Sequence, residues 1–292
     1  MLFRSSPAVV YDGDTPVEYA SVPLTCYEGK GYRRETFESI STLLENYYAS
    51  RDTITRIRQK SSDLRRIVQT ALERSCKKYD LQLKQLKDTE KREKYRIYGE
   101  LLNTYGYELK GGEKSFKCIN YYDNEEITIP LDPQLTAREN AQKHFDKYNK
   151  LKRTYEALSQ LTMETKAEVD HLESVSSALD IALEENDLVQ IKEELMEFGY
   201  VKKRRANEKR PKITSKPFHY ISSDGYDIFV GKNNYQNEEL TFKVASGNDW
   251  WFHAKGIPGS HAIVKSNGQT DLPDRVFEEA GALAAYYSKE IV

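Results

Sequence analysis

A chain of 292 residues that is 38% hydrophobic and 31% charged suits about two domains with much exposed helix, and excludes a membrane-spanning or highly apolar class. Its net charge of −2 favours no partner when taken whole. Cys26, Cys76 and Cys118, with no C-x-x-C spacing, exclude a disulfide framework and a cysteine zinc site and fit a reducing cytosol.

No apolar run approaches the roughly 20 residues of a membrane span. Met1-Leu2-Phe3-Arg4 does not open like a secretory signal. The expected location is cytoplasmic, with no membrane partner.

Residues 1–35 read as extended chain. Ala8-Val9-Val10-Tyr11 runs into the turn cluster Asp12-Gly13-Asp14-Thr15-Pro16, and residues 17–22 alternate, which predicts a β-hairpin. One hairpin cannot bury a core alone, so this segment is the remnant of an N-terminal lobe or packs on another element.

Thr36 is the expected N-cap of a long helix over 36–94. Phe37, Ile40, Leu44, Tyr47, Ile54, Ile57, Leu64, Val68 and Ala71 follow at near-heptad spacing. The register then shifts to Leu72, Cys76, Tyr79, Leu83 and Leu86, which predicts a stutter.

Residues 95–135 are broken by Gly99, Gly106 and Gly111-Gly112. Apolar runs at 116–122 and 126–130 flank an Asp123-Asn124 turn, so a small α+β knob is expected. Thr136 is the next candidate N-cap. From Ala141, the positions Tyr148, Leu151, Tyr155, Leu158, Val169, Leu172, Leu179 and Leu183 recur in steps of three and four, with His144, Thr162, Thr165 and Ser176 in the same seam. No Pro or Gly lies between Glu139 and Phe198, so the spacing predicts one unbroken helix over 136–198. Residues 141–183 alone would be about 65 Å long. The two long helices are expected to form an antiparallel hairpin.

Charge divides this hairpin. Residues 77–96 carry eight basic and four acidic residues, and 138–153 carry six and two. At the other end, 154–197 carry two basic and twelve acidic residues, opposite 36–76 with seven and five. Charges on coiled coils commonly serve solubility and cross-helix pairing. Here the imbalance also suits a basic end that meets phosphates, through Lys84, Lys87, Lys91, Arg92, Lys143 and Lys147. A basic linker follows over 199–217, in which residues 200–216 hold eight basic residues and one acid. It is either a solvated connection or a second nucleic-acid contact through Lys202, Lys203, Arg204 and Arg205.

From residue 218 the pattern turns to strands. Residues 218–221 and 226–230 flank Ser222-Ser223-Asp224-Gly225; residues 249–254 and 261–265 make two more strands; 273–289 reads as an amphipathic helix. Asn233 or Asn234 is the expected cap of a short helix. His253, Lys255, Ser260 and His261 surround a Gly-rich loop whose backbone can approach a phosphate. The loop lacks P-loop spacing. Ser260 and His261 are adjacent on an extended chain and cannot act as nucleophile and base. Two histidines without a third ligand do not make a zinc site. Trp250 and Trp251 face opposite sides of a strand, so at most one is core and the other offers a stacking surface; Trp250 is taken as the candidate, with Lys232, His253, Lys255 and His261 around it.

The run Asp224-Gly225, Val230-Gly231-Lys232-Asn233-Asn234, Gln236-Asn237, Asp249, His253-Ala254-Lys255 and Ile257-Pro258-Gly259-Ser260-His261 resembles the NFACT-R module of the NFACT family. Tyr98-Gly99-Glu100-Leu101-Leu102, Ile129-Pro130-Leu131-Asp132-Pro133, Asn140-Ala141-Gln142-Lys143 and Tyr148-Asn149-Lys150-Leu151-Lys152 resemble the family's coiled-coil and middle region. Trp250, Phe252 and Gly256 depart from the usual pattern. The resemblance implies an α+β architecture: a long antiparallel two-helix coiled-coil arm with a small α+β tip knob, then a mixed α+β NFACT-R-like module at 218–292. It also implies an interior portion of the family's longer chain, short of most of the NFACT-N lobe and of the last NFACT-R strands. The family's tRNA-reading Asp-Arg pair has no counterpart here.

The function implied is ribosome-associated quality control. Its partners are the large ribosomal subunit, through rRNA and proteins, with stalled peptidyl-tRNA, and a charged tRNA recruited for C-terminal alanine tailing. No enzymatic activity, metal, cofactor or small-molecule ligand is expected. The alternative is a surface adhesin for fibronectin or fibrinogen, after an older family name.

Overall fold

The computed structural model describes residues 6–13, 15–22, 24–204, 209, 211–269 and 271–288. It divides into two units, one of Met1–Ala71 with His171–Val292 and one of Leu72–Asp170.

In the first unit, β1 (Ala8–Asp12) is the centre of an antiparallel sheet between β2 (Thr15–Ala20) and β3 (Arg33–Thr36). Alternation turns Val9 and Tyr11 towards Leu43 and Tyr47 of helix α1 (Ile40–Asp88), where they form a small core. The hairpin gains a third strand that the sequence reading missed, because all four residues of β3 are exposed and three are charged. Thr36 pairs with Ala8 in that strand and does not cap α1. The cap is Ser39, whose hydroxyl accepts from the Thr42 N–H at 3.1 Å.

Helix α1 runs antiparallel to α3 (Ala137–Ile181). The Arg65 guanidinium pairs with Asp180 and donates to the Leu179 carbonyl, while Lys60, earlier in α1, reaches Glu185 beyond α3 at 2.6 Å. Helix α3 ends sooner than its sequence predicts. The Glu184 side chain accepts from the Asp187 backbone, and Asp187 accepts from the Leu183 and Glu184 N–H groups at 3.1 Å each. This capping box opens a separate helix, α4 (Glu185–Glu197). Leu183, expected in the seam, lies in the break and is 40% exposed.

The second unit holds the end of α1, the start of α3, helix α2 (Arg92–Tyr105) and the hairpin β4 (Ser115–Ile119) with β5 (Glu126–Pro130). Tyr98, Leu101, Leu102, Phe116, Ile129 and Ala141 form its core. Thr136 caps α3 as its sequence predicts: its hydroxyl accepts from the Glu139 N–H at 3.3 Å, and Glu139 accepts from the Thr136 N–H at 2.7 Å. The stutter expected in α1 is absent from its most buried row. Ser61, Val68, Ser75 and Gln82, each seven residues on, are all buried. Cys76 gives way to Ser75 in the seam, and Leu83 is 41% exposed. A reading that follows only apolar residues leaves this row at Ser75, because its members there are polar.

Back in the first unit, strands β6 (Phe218–Ile221), β7 (Asp227–Val230), β8 (Trp250–Phe252) and β9 (Ala262–Val264) form an antiparallel sheet in the order β6-β7-β9-β8. Ile228, Val230, Ala262 and Val264 pack from one face onto Val276, Ala280 and Ala284 of helix α6 (Asp274–Tyr286). A short helix α5 (Asn234–Glu239), continued by a π-helical turn over Leu240–Val244, connects β7 to β8.

Gly99 in α2 lies against Phe145 of α3, and a Cβ there would sit 2.8 Å from the ring. Gly99→Ala forces the ring to shift and should destabilise the second unit by about 1–3 kcal/mol, read as a lower urea midpoint for the α2–α3 core. An unchanged midpoint would show that the ring yields freely.

Candidate nucleic-acid interface

The loop after β7 carries the most concentrated polar chemistry of the chain. Its sequence, Gly231-Lys232-Asn233-Asn234-Tyr235-Gln236-Asn237, is turned against one face of α4. Positions 187, 190, 194 and 197 of that helix lie three and four apart, hence on one side. Asp187 takes the Lys232 ammonium at 3.3 Å, with both side chains buried. Gln190 Oε1 accepts from the amides of Asn233 at 2.8 Å and Gln236 at 2.9 Å. Glu194 accepts from Asn234 at 2.6 Å and bonds His171 at 2.9 Å. Glu197 accepts from the Tyr235 hydroxyl; burial, followed by that hydrogen bond and the charge of Glu197, drives the phenol pKa upward. Asn233 also caps α5, accepting from the Gln236 N–H at 3.1 Å.

The same loop fixes the His-containing turn. Asn237 Oδ1 accepts from the His261 N–H at 3.0 Å, and its amide donates to the Gly259 carbonyl at 3.2 Å. A Cβ at Gly231 would overlap Asn237, so glycine is required there. His261 Nδ1 pairs with the Thr241 hydroxyl at 2.8 Å. Its ring meets His253 edge to face at 5.2 Å and Trp251 at 5.2 Å, and Trp251 stacks on His253 at 5.7 Å and 17°. Burial pushes both imidazoles below the usual histidine range, and for His261 the neighbouring His253 adds to it. Beside them, burial opposes the charge of Asp249, but Lys265 and the backbone N–H groups of Ser246 and Ser266 outweigh it and hold this carboxyl well below the usual range.

These placements correct one sequence-predicted site residue. Lys232 is 8% exposed and ion-paired inside the fold, with its ammonium 4.6 Å from the centre of the Phe218 ring, so it does not present to a surface ligand. Trp250 packs edge to face on Phe277 of α6 at 4.8 Å and stays 42% exposed; Trp251, on the other face of the strand, is 51% exposed. Alternation places the two rings on opposite faces but does not say which face the last helix covers. His253 and His261 are half-buried and adjacent, and Lys255 is exposed in the turn between them.

In the second unit Lys84, Lys87, Lys91, Lys143 and Lys147 are exposed. Lys91 pairs with Asp88 at 3.5 Å and Lys143 with Asp132 at 2.8 Å. Lys147 lies 4.2 Å over the Tyr95 ring, and Arg92 lies 3.9 Å over Tyr155. His144 stacks on Tyr95 and bonds the Pro130 carbonyl at 3.1 Å; burial lowers its pKa. In the linker, Lys202 and Lys203 are exposed and Arg204 is paired with Glu193. Arg205 lies outside the described residues. Among the described residues, no three His, Cys, Asp or Glu side chains are grouped to hold a metal, and no helix is long and apolar enough to cross a membrane.

Residues 3–214 match the NFACT N-terminal and middle domains, and residues 216–291 match the NFACT protein RNA binding domain. The Rqc2 homolog RqcH of Streptococcus suis is 43% identical over 277 residues, covering 94% of this chain and 49% of that protein. The Rqc2 homolog RqcH of Bacillus subtilis is 36% identical over 270 residues, covering 91% and 46%. The chain thus spans about half the length of the curated relatives it matches. A solved structure of the C-terminal of the fibronectin/fibrinogen-binding protein from Streptococcus suis aligns with 80% of this chain and 79% of that one, at TM-score 0.58 and 38% identity.

Removing Asp187 leaves a buried ammonium with no counter-charge. Asp187→Ala should therefore cost about 3–5 kcal/mol in the urea unfolding of the first unit, with much of the loss recovered when Lys232→Met is added. The lowered imidazoles of His144, His253 and His261 give a second expectation. As pH falls below about 6.5, the unfolded chain takes up protons before the folded one. Stability present above that pH should decline beneath it, so the urea midpoint should be lower at pH 5.5 than at pH 7.5; an equal or higher midpoint would contradict it.

Proposed function

Because the chain belongs to the NFACT family, we propose that it works as an RNA-binding adaptor in ribosome-associated quality control. It engages the large ribosomal subunit with its stalled peptidyl-tRNA, through rRNA and ribosomal proteins, and supports recruitment of charged tRNA for alanine tailing of the nascent chain. It acts in the cytoplasm and contributes no catalysis of its own, since peptide transfer belongs to the ribosome. The observation that carries the reading is the match of residues 216–291 to an RNA binding domain, in a chain 36% to 43% identical to Rqc2 homologs.

The exposed lysines of the second unit support it. Lys84, Lys87, Lys143 and Lys147 present cationic groups at the surface, and Lys147 and Arg92 are steadied over tyrosine rings, an arrangement suited to a phosphate backbone.

A second reading follows from the 38% identical structure, that of the C-terminal of a fibronectin/fibrinogen-binding protein. It takes the chain as a surface adhesin. Labelling of intact cells separates the two: an adhesin is labelled, and a cytoplasmic adaptor is not.

The adaptor reading is tested by sedimentation with purified large subunits. Association should weaken steeply between 50 and 200 mM salt, by about 10³-fold or more if six or more phosphates are contacted. Changing Lys84, Lys87, Lys91, Lys143 and Lys147 together to Glu should abolish it. Salt-insensitive or absent association would overturn the reading.

A further inference from the structure

The sheet β6-β7-β9-β8 has two different faces. Trp250, Phe252, Ala262 and Val264 belong to the one packed on α6. Trp251 pairs with Ile263, and Ile263 with Phe229, so these three lie on the other face. That face is partly roofed. The π-helical turn Leu240–Val244 is held over the ends of β9, where Thr241 meets His261 and the Val244 carbonyl takes the Lys265 ammonium at 3.0 Å. Ile263 beneath it is fully buried. Trp251, one strand further on at the sheet edge, is left 51% exposed.

An exposed indole forgoes the transfer free energy that burial would give it. This one is nevertheless held in place. His253 stacks along it and His261 abuts it, and His261 is itself pinned by Asn237, Thr241 and the Gly231 N–H, which donates to its carbonyl at 3.0 Å. Asn237 and Gly231 of the β7–α5 segment thus help to fix the flank of a water-facing aromatic plane. Along the chain, the charges that follow it are basic. From residue 250 to 269 the chain carries Lys255 and Lys265 and no carboxylate, and the nearest acid before it, Asp249, is neutralised by Lys265. Lys255 itself is exposed in the turn after His253, where Gly256 supplies the positive φ of 79°.

We propose that Trp251 stacks an unpaired nucleobase of an RNA strand, with the Lys255 ammonium at its phosphate. The proposal rests on the RNA-binding reading above and adds the mode of recognition: a single-stranded or flipped-out base, since a base inside a duplex offers no free face. A pre-positioned ring loses little freedom on binding, which favours a small contact of this kind.

The chain has two tryptophans, so Trp250→Phe leaves Trp251 as the sole indole reporter. In that background, a short unstructured RNA should quench the Trp251 emission as it binds, and the same sequence annealed as a duplex should not. Trp251→Ala should weaken single-strand binding, followed by anisotropy of a labelled RNA, by about ten- to a hundredfold. Trp251→Phe should retain most of the affinity, which separates stacking from a loss of folding. Undiminished anisotropy binding by Trp251→Ala, or saturation without change in Trp251 emission, would overturn the stacking proposal and leave the RNA-binding reading standing. Absence of any RNA binding by the unmodified chain at low salt would overturn both. Quenching by a protein ligand with none by RNA would assign the face to another class of partner and overturn the proposal.

Discussion

Asp187 is the residue on which the first unit turns. One of its oxygens accepts the two backbone N–H groups that begin α4, while the carboxylate also neutralises the Lys232 ammonium and accepts from the Ser215 hydroxyl at 2.5 Å. A helix start, a buried ion pair and the strand of chain entering the last sheet therefore share one charge. Buried ion pairs are poor sources of net stability, but separating the partners strands a charge, which is strongly destabilising. The neutral amides of Gln190, Asn233 and Gln236 extend the same logic, each requiring its partner in one register.

From that lock the order spreads outward along the chain. Gly231 and Asn237 fit each other closely, and Asn237 then holds both Gly259 and His261. The loop residues most distinctive in the sequence are thus chiefly internal fasteners. The chemistry left for a ligand is a smaller set: an indole, a lysine and two imidazoles that burial keeps towards their neutral form.

Much of this was legible in the sequence. The seam of α3 is buried where its three-and-four spacing placed it, at Ala141, His144, Thr162, Thr165, Val169, Leu172 and Leu179, because periodicity survives in the presence of polar members. The last four strands and their helix follow the alternation and turn residues of residues 218–286. Other features were not legible. The end of α3 has no Pro or Gly to mark it; it is made by the side chains of Glu184 and Asp187, which read as ordinary acidic helix surface. The polar row through Ser75 and Gln82 carries no apolar signal. Lys232 has the look of a surface cation, and only the distant Asp187 takes it inside. At the interface, alternation separated Trp250 from Trp251, but which of them meets Phe277 is set by the tertiary fold.

The non-helical joint at residues 182–184 has a further meaning for how such a chain can vary. In an uninterrupted helix, adding or deleting one residue rotates everything downstream by about 100°. A capped joint does not transmit that phase, because the start of α4 is fixed by its own capping box and by the loop it grips. The pairing of Asp187 and Gln190 with the loop is therefore set within α4 itself, whereas Glu194 also bonds His171 of α3. A change of residue count in α3 before His171 must therefore preserve the phase of that contact, while the fastening at Asp187 and Gln190 is set beyond the joint.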